Sequence, residues 1–126
     1  MSRSIILLFS FLAILSTPVW SGEVNRAQFT TTIDNREPVD SLVSVPTDMK
    51  KVSFFTELLN FTDQKITHQW VYNDKEMYRL GFNVKGPRWR VWSSKRLLPK
   101  FHGSWTVNIL NANDEVIDSK SFVYFP

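Results

Sequence analysis

The chain has 126 residues, of which 43% are hydrophobic and 21% are charged, and this length fits one globular domain and excludes a multidomain enzyme. It contains no cysteine, which excludes a disulfide framework, a thiolate nucleophile and a cysteine-ligated metal. The formal net charge is +3, and aromatic residues make up 14% of the chain. That composition is typical of a folded protein and excludes a disordered or low-complexity chain.

The beginning of the sequence has the pattern of a secretory signal. Arg3 supplies positive charge, residues 5–15 are almost wholly apolar, and small residues lead to a cleavage position that we place after Ser21. The alternative is a retained membrane anchor, but this run is shorter than the roughly 20 apolar residues that cross a bilayer. The sequence therefore predicts a signal peptide at 1–21 and a single domain at 22–126 that does not span a membrane after cleavage.

The absence of cysteine also bears on the compartment. Many small secreted domains are cross-linked by disulfides, so an exported domain without them fits the periplasm or cell surface of a bacterium. The segment Met77–Asn113 has no acidic residue but several cations. An exported protein does not meet a genome, so the expected partner is an envelope glycan, another anionic surface or a protein, and no nucleic acid.

The residue pattern of the mature chain predicts a succession of strands. No stretch shows a helical apolar period, and turn residues recur at about the eight-to-twelve-residue spacing of β-sandwiches. Residues 34–50 read as a long connection with a short extended piece at Leu42–Val45, and Leu97–Phe101 reads as a loop. The predicted strands are, in chain order, Val24–Ile33, Lys51–Leu59, Gln64–Tyr72, Glu76–Val84, Arg88–Ser93, Gly103–Leu110 and Val116–Phe125.

Period-two alternation assigns the faces of these strands. In the third strand, His68 and Trp70 share an apolar face, and in the fourth Tyr78, Leu80 and Phe82 do the same. Two sheets that pack face to face need one apolar row for each strand. The predicted fold is therefore an all-β, antiparallel β-sandwich of about seven strands, immunoglobulin-like in character.

Several segments, in this order, also resemble a known family. They are Arg26–Thr30, Arg36–Pro38, Phe54–Leu58, His68–Trp70, Phe82–Val84, Arg88–Lys95 and Gly103–Val107. Together they resemble the bacterial domain of unknown function numbered 2914, over roughly residues 26–124. The resemblance implies a protein of Gram-negative bacteria, in a family that also occurs as the exported tail of larger membrane proteins. It implies no catalytic activity that could be assigned to residues here.

The first candidate site is the basic-aromatic strand. Alternation places Arg88, Arg90 and Trp92 on one face, where guanidinium groups beside an indole suit stacking on sugars or binding a carboxylate or phosphate. We expect Ser93, Ser94 and Lys95 to extend this ligand-binding site. The alternative is that Trp89 is core, Trp92 is a partly buried cap, and the arginines pair with carboxylates of neighbouring strands.

Four further residues are expected to support this site. Arg36 and Glu37 lie early in the long connection, where recognition residues often occur, although an ion pair from Glu37 to an arginine of the basic strand is an equal alternative. His68 and Trp70 lie on an inward face, where a satisfied buried histidine is the default interpretation.

Catalytic and metal motifs are not found in this sequence. The second histidine, His102, has no ligand-like spacing to His68, while a carboxylate dyad such as Glu57 with Asp63 stays open because sequence does not give distances. We therefore expect no catalytic residue, no metal and no cofactor. The predicted function is a non-catalytic binding module of the bacterial envelope that recognises an anionic or glycan ligand. The alternative is a protein-protein interaction domain that docks on an envelope membrane complex.

Overall fold

The structure is a computed structural model that describes residues 22–126, and the predicted signal peptide lies outside the described residues. This part of the chain contains ten strands and a short 3-10 turn at Pro99–Phe101. The strands are β1 (Glu23–Thr30), β2 (Ile33–Asp34), β3 (Glu37–Pro38), β4 (Ser44–Pro46), β5 (Lys51–Leu59), β6 (Lys65–Tyr72), β7 (Lys75–Asn83), β8 (Arg88–Arg96), β9 (Gly103–Leu110) and β10 (Val116–Phe125).

Two packed sheets form the sandwich. One has the order β1-β5-β8 and the other has the order β4-β10-β9-β6-β7, while β2 and β3 form a separate two-stranded hairpin. The chain crosses between the sheets as in immunoglobulin domains. The first, second and fifth long strands share one sheet, and the third, fourth, sixth and seventh lie in the other. The prediction of an all-β sandwich is confirmed, and its seven long strands are those expected from the sequence.

Four details differ from the expectation. The pair β4 and β10 is parallel, so the sheets are not wholly antiparallel. The last predicted part of the first strand separates as β2, and β8 continues to Arg96. A bulge opposite Trp70 and Val71 shifts the phase of β7, so Met77 packs against the core while Tyr78 is exposed.

The core between the sheets is aromatic. Trp70 and Trp105 are fully buried, and the Trp105 indole stacks on Phe122 with ring centroids 6.2 Å apart. Phe29 packs on Phe54 at a centroid distance of 4.8 Å. Offset and edge contacts of this kind add to the burial of apolar area, which accounts for much of the aromatic content.

The central strand β5 is buried on both faces. Its inward row includes Phe54 and Leu58, but Phe55 and Glu57 on the outward row are also almost inaccessible to solvent. Sandwich strands normally have one solvated face, so the outer face of this sheet must be covered. The hairpin β2–β3 and the side chains it contacts provide that cover. Among residues 22–126 there is no helix of the length and apolarity that a bilayer crossing needs.

Candidate functional site

The structure places the main residues of the basic-aromatic strand on one face. Pairing with β5 sets Arg90 opposite Glu57 and Trp92 opposite Phe55, so Arg88, Arg90 and Trp92 share the outer face of the three-stranded sheet. Arg88 is 56% exposed in its side chain and Arg90 is 22% exposed, while Trp92 is half-buried. We call this surface, formed by the outward side chains of β1, β5 and β8, the outer face.

Two residues of the predicted site do not lie on the outer face. Ser93 points into the sandwich and is 2% exposed. Lys95 also belongs to the inward row, and its ammonium lies 5.8 Å from the ring centroid of Trp105. The prediction that both extend a ligand site is therefore wrong in orientation, because alternation along β8 continues past Trp92. Ser94 is on the outer face, where its hydroxyl is 2.7 Å from that of Ser53.

The hairpin over the outer face turns through two residues with left-handed backbones. Asn35 has φ of 53° and Arg36 has φ of 63°, which is the pattern of a tight two-residue hairpin turn. Asn adopts this conformation readily, whereas Arg does so at a cost of roughly 1 kcal/mol. The turn directs Arg36 back to the sheet, where its guanidinium lies 5.7 Å from the ring centroid of Trp92.

Glu37 ties the hairpin to two arginines of the outer face. Arg26 donates from both terminal nitrogens to the two carboxylate oxygens, at 2.8 and 2.9 Å, and Arg90 donates to Oε2 at 2.6 Å. These hydrogen bonds, first from Arg26 and then from Arg90, lower the pKa of Glu37 to about 2. The contact between Arg26 and Glu37 has the bidentate geometry in which arginine binds carboxylates and phosphates. The alternative expected from sequence, an internal pair between Glu37 and the basic strand, is what the structure contains.

Glu57 is the second carboxylate that binds Arg26, and unlike Glu37 it is buried. Arg26 donates to both of its oxygens at 3.2 Å, Asn25 donates at 2.7 Å, and Arg88 donates to Oε2 at 2.6 Å. The bonds from Arg26 chiefly lower the pKa of Glu57 to about 2, against the opposing effect of burial. Sequence reasoning missed Arg26 and Glu57 as members of the site. Only the strand register brings them together, and spacing along the chain does not reveal it.

Beside this network the sandwich is open. β7 and β8 are edge strands of different sheets, and a shallow groove of about 230 Å³ between them is lined by Phe82, Arg90, Val91 and Trp92. The outer face thus combines four guanidinium groups, of Arg26, Arg36, Arg88 and Arg90, with two carboxylates and one edge of an indole. It carries a surplus of positive charge next to an apolar groove.

The two supporting residues on β6 belong to the core. His68 is fully buried, with Nε2 3.0 Å from the Thr56 hydroxyl and Nδ1 2.7 Å from the Ser93 hydroxyl, and Trp70 donates its indole N–H to the same Ser93 oxygen at 3.0 Å. Burial lowers the pKa of His68 to about 3, so the ring is neutral. His68 and Trp70 therefore do not reach a ligand on the outer face. The interpretation of His68 as a satisfied buried histidine is correct.

The other histidine has local partners. His102 Nε2 lies 2.7 Å from the Thr47 hydroxyl, and its ring packs on Tyr124 at a centroid distance of 4.7 Å. Among the residues that the structure describes, no three His, Asp or Glu side chains are grouped so that they could hold a metal ion.

These observations define an immunoglobulin-like sandwich with a basic-aromatic outer face. The family model described as protein of unknown function (DUF2914) matches residues 63–124, which run from the turn before β6 almost to the end of β10. The chain belongs to this family. The match covers the second part of the resemblance in the sequence, and the similar segments between residues 26 and 58 lie outside it. A search of the curated proteins returns no match.

Proposed function

We propose that the protein is an exported, non-catalytic binding module of the bacterial cell envelope. It recognises an anionic or glycan ligand through the outer face and acts in the periplasm or at the cell surface. The proposal includes cleavage of the signal peptide at its predicted site. The surplus of guanidinium groups beside the half-buried indole of Trp92 is the observation that carries it.

The groups available to a ligand are distinct from those that hold the hairpin. Arg26 and Arg90 are engaged by Glu37. Arg88 is more than half exposed although it contacts Glu57, and Arg36 is exposed on the hairpin turn. These two exposed cations flank the Glu37 contacts, and the indole of Trp92 with an apolar groove lies beside them. Arginine and an aromatic ring together suit a sugar that bears a carboxylate or phosphate.

Retention on immobilised peptidoglycan tests this proposal. Arg88→Ala should weaken retention about tenfold, the usual effect of losing a hydrogen bond to a charged group, and Trp92→Ala should weaken it similarly. Arg79→Ala is the matched control, because Arg79 is an exposed, ion-paired arginine on β7 of the opposite sheet. Unchanged retention of Arg88→Ala, or an equal loss in Arg79→Ala, would contradict the proposal.

A second candidate is docking on a protein of an envelope membrane complex. β4 pairs with β10 only at Val123–Phe125, so the edge of β10 from Val116 to Ser121 has no strand beside it within residues 22–126. Ile117 on this edge is 39% exposed and Val43 beside the β4 end is 76% exposed. Unpaired strand edges with apolar side chains are surfaces for strand addition.

Photo-crosslinking in intact cells separates the two candidates. A crosslinker at Ile117 should give one discrete protein adduct if β10 docks on a partner, whereas a crosslinker at Lys75 on the opposite sheet edge should not. Adducts of equal pattern at both positions would contradict docking through β10. Co-purification with polysaccharide that depends on Arg88 supports the first candidate instead.

A further inference from the structure

The end of the three-stranded sheet that lies away from Arg88 carries a second group of cations. We call it the basic end, and its cations are Lys50, Lys51, Arg96 and Lys100, all of which are exposed. Arg96 is eight residues beyond Arg88 on β8, which is about 26 Å at the usual rise of a strand. The basic end is therefore a different surface from the proposed ligand site.

Two cations of the basic end face each other, and none of the four is in an ion pair within residues 22–126. Lys51 and Arg96 are direct cross-strand partners in the β5–β8 register. Within residues 22–126, the ion pairs involve Arg26, Arg79, Arg88 and Arg90 and none of these four. The nearest acid in the sequence, Asp48, is exposed and makes no ion pair with them. Like charges directly opposite one another lower the stability of a sheet. An anionic binding partner would reduce this repulsion, so the cations are typical of a binding surface.

The same end has an apolar tip, formed by residues 97–99. Leu97 is buried, but Leu98 next to it is 43% exposed. The two leucines and Pro99, together with Lys50, Lys51 and Arg96, line a depression of about 480 Å³. The tip therefore has an apolar centre and a rim of positive charge.

The tip is held in place by backbone hydrogen bonds. The N–H of Leu97 bonds to the carbonyl of Lys50 at 2.9 Å, and the N–H of Phe101 bonds to the carbonyl of Leu98 at 2.9 Å, which closes the 3-10 turn. Pro99 further restricts this turn. Leu98 is thus projected by a well-defined loop, and little conformational freedom is lost when it becomes buried.

We propose that the basic end docks on the surface of a membrane that contains anionic phospholipid. The lysine and arginine head groups lie at the level of the lipid phosphates, and Leu98 enters the boundary between head groups and acyl chains. A cationic rim around an exposed leucine is complementary to both layers of that interface. A purely polar polysaccharide has no part that would cover Leu98, and a free anion would not use it.

Sedimentation with lipid vesicles tests this proposal on the chain without its predicted signal, residues 22–126. We expect binding to vesicles of phosphatidylcholine and phosphatidylglycerol in equal parts, and little binding to phosphatidylcholine alone. The double variant Lys50→Gln/Lys51→Gln should lower the partition coefficient about 25-fold, at about fivefold for each cation removed. Leu98→Ala should lower it about tenfold, from the loss of apolar insertion.

The matched control is Lys75→Gln/Lys120→Gln, which removes two exposed lysines from the five-stranded sheet and should leave vesicle binding unchanged. Melting curves of each variant check the fold, and Lys51→Gln should melt at the same temperature or higher because repulsion from Arg96 is removed. Equal binding to the two vesicle types, an equal loss in the control, or full competition by inorganic phosphate would each overturn the proposal. Arg88→Ala should retain vesicle binding, so this result is independent of peptidoglycan retention.

Discussion

The hydroxyl oxygen of Ser93 lies 2.7 Å from Nδ1 of His68, and this contact joins the basic-aromatic strand to the opposite sheet. Trp70 donates its indole N–H to the same hydroxyl oxygen. On the other side of the His68 ring, Nε2 lies 3.0 Å from the Thr56 hydroxyl, which donates to the carbonyl of Val91 at 3.4 Å. One consistent arrangement has Ser93 donating to Nδ1 and Nε2–H donating to Thr56. Such a chain needs a neutral histidine, because a second ring proton would face the Ser93 proton.

The stability of the protein should therefore depend on pH through His68. Burial lowers the pKa of His68 to about 3 in the folded chain, whereas in the unfolded chain it is about 6.5. Below pH 6.5 the unfolded state gains a proton that the folded state does not, so the free energy of unfolding should fall by about 1.4 kcal/mol per pH unit down to about pH 3. Above pH 6.5 this contribution is constant. Urea unfolding measured across the pH range checks the slope.

The control for this slope is the second histidine. His102→Asn should keep the pH dependence, while His68→Asn should lower stability at pH 7 and flatten the curve between pH 6.5 and 5. The carboxylates Glu37 and Glu57 act at lower pH, because their pKa values are lowered to about 2 in the folded chain. Their contribution to the free energy of unfolding is complete above about pH 4.5 and is lost as the pH falls towards about 2. A slope that is the same in His68→Asn as in the wild type would show that another group is responsible.

Ser93→Ala should strongly lower the free energy of unfolding, although it removes only one oxygen atom. It leaves Nδ1 of His68 and the indole N–H of Trp70 without a partner in the core, and each unsatisfied buried group costs about 1–3 kcal/mol. Chemical denaturation measures the loss. The neighbouring variant Ser94→Ala removes a half-buried hydroxyl bonded to Ser53 and should cost less than about 1 kcal/mol. Equal effects of the two variants would contradict the inward assignment of Ser93.

Glu57→Gln should test the buried member of the outer-face network. The substitution removes the charge to which Arg26, Arg88 and Asn25 donate, and we expect a loss of about 2 kcal/mol at neutral pH. The loss should shrink as the pH falls towards about 2, where the wild-type carboxyl becomes protonated. Glu76→Gln, which affects an exposed pair with Arg79, should cost no more than about 0.5 kcal/mol.

Glu37→Gln should loosen the hairpin without unfolding the sandwich. The Arg26 fork and the single hydrogen bond from Arg90 lose a charged acceptor, but Asp40 still accepts hydrogen bonds from the N–H and hydroxyl of Thr31. Hydrogen exchange should therefore accelerate in β2 and β3 and remain slow in β9. Uniform acceleration in all strands would show that the hairpin is not a separate unit of stability.

Arg36→Gly should separate backbone strain from side-chain contact. Glycine relieves the left-handed conformation at φ of 63°, worth roughly 1 kcal/mol, while the loss of the contact with Trp92 costs about 0.5–1 kcal/mol. Global stability should therefore change little, and the fluorescence of Trp92 should change. A large drop in stability would mean that Arg36 does more than cover this indole.

The sequence could predict the strands and most faces, because alternation is a local property. It predicted the common outer face of Arg88, Arg90 and Trp92 and the inward row of His68 and Trp70. It could not predict that Glu57 would lie between Arg26 and Arg88, because that depends on the registers of β1, β5 and β8. The error at Ser93 has a related cause: the predicted strand ends at Ser93, whereas β8 continues to Arg96, so Ser93 takes an inward position within the strand.

The cover over β5 also bears on self-association of the chain. Phe55 is an outward but fully buried residue of β5. The guanidinium of Arg26 lies 4.9 Å from its ring centroid, and Glu37 of the hairpin holds that guanidinium in place. If the hairpin opened, a flat aromatic surface between two strands would meet water, and such surfaces attract other copies of the chain. We therefore expect loss of the hairpin to promote aggregation of the chain before the sandwich itself unfolds.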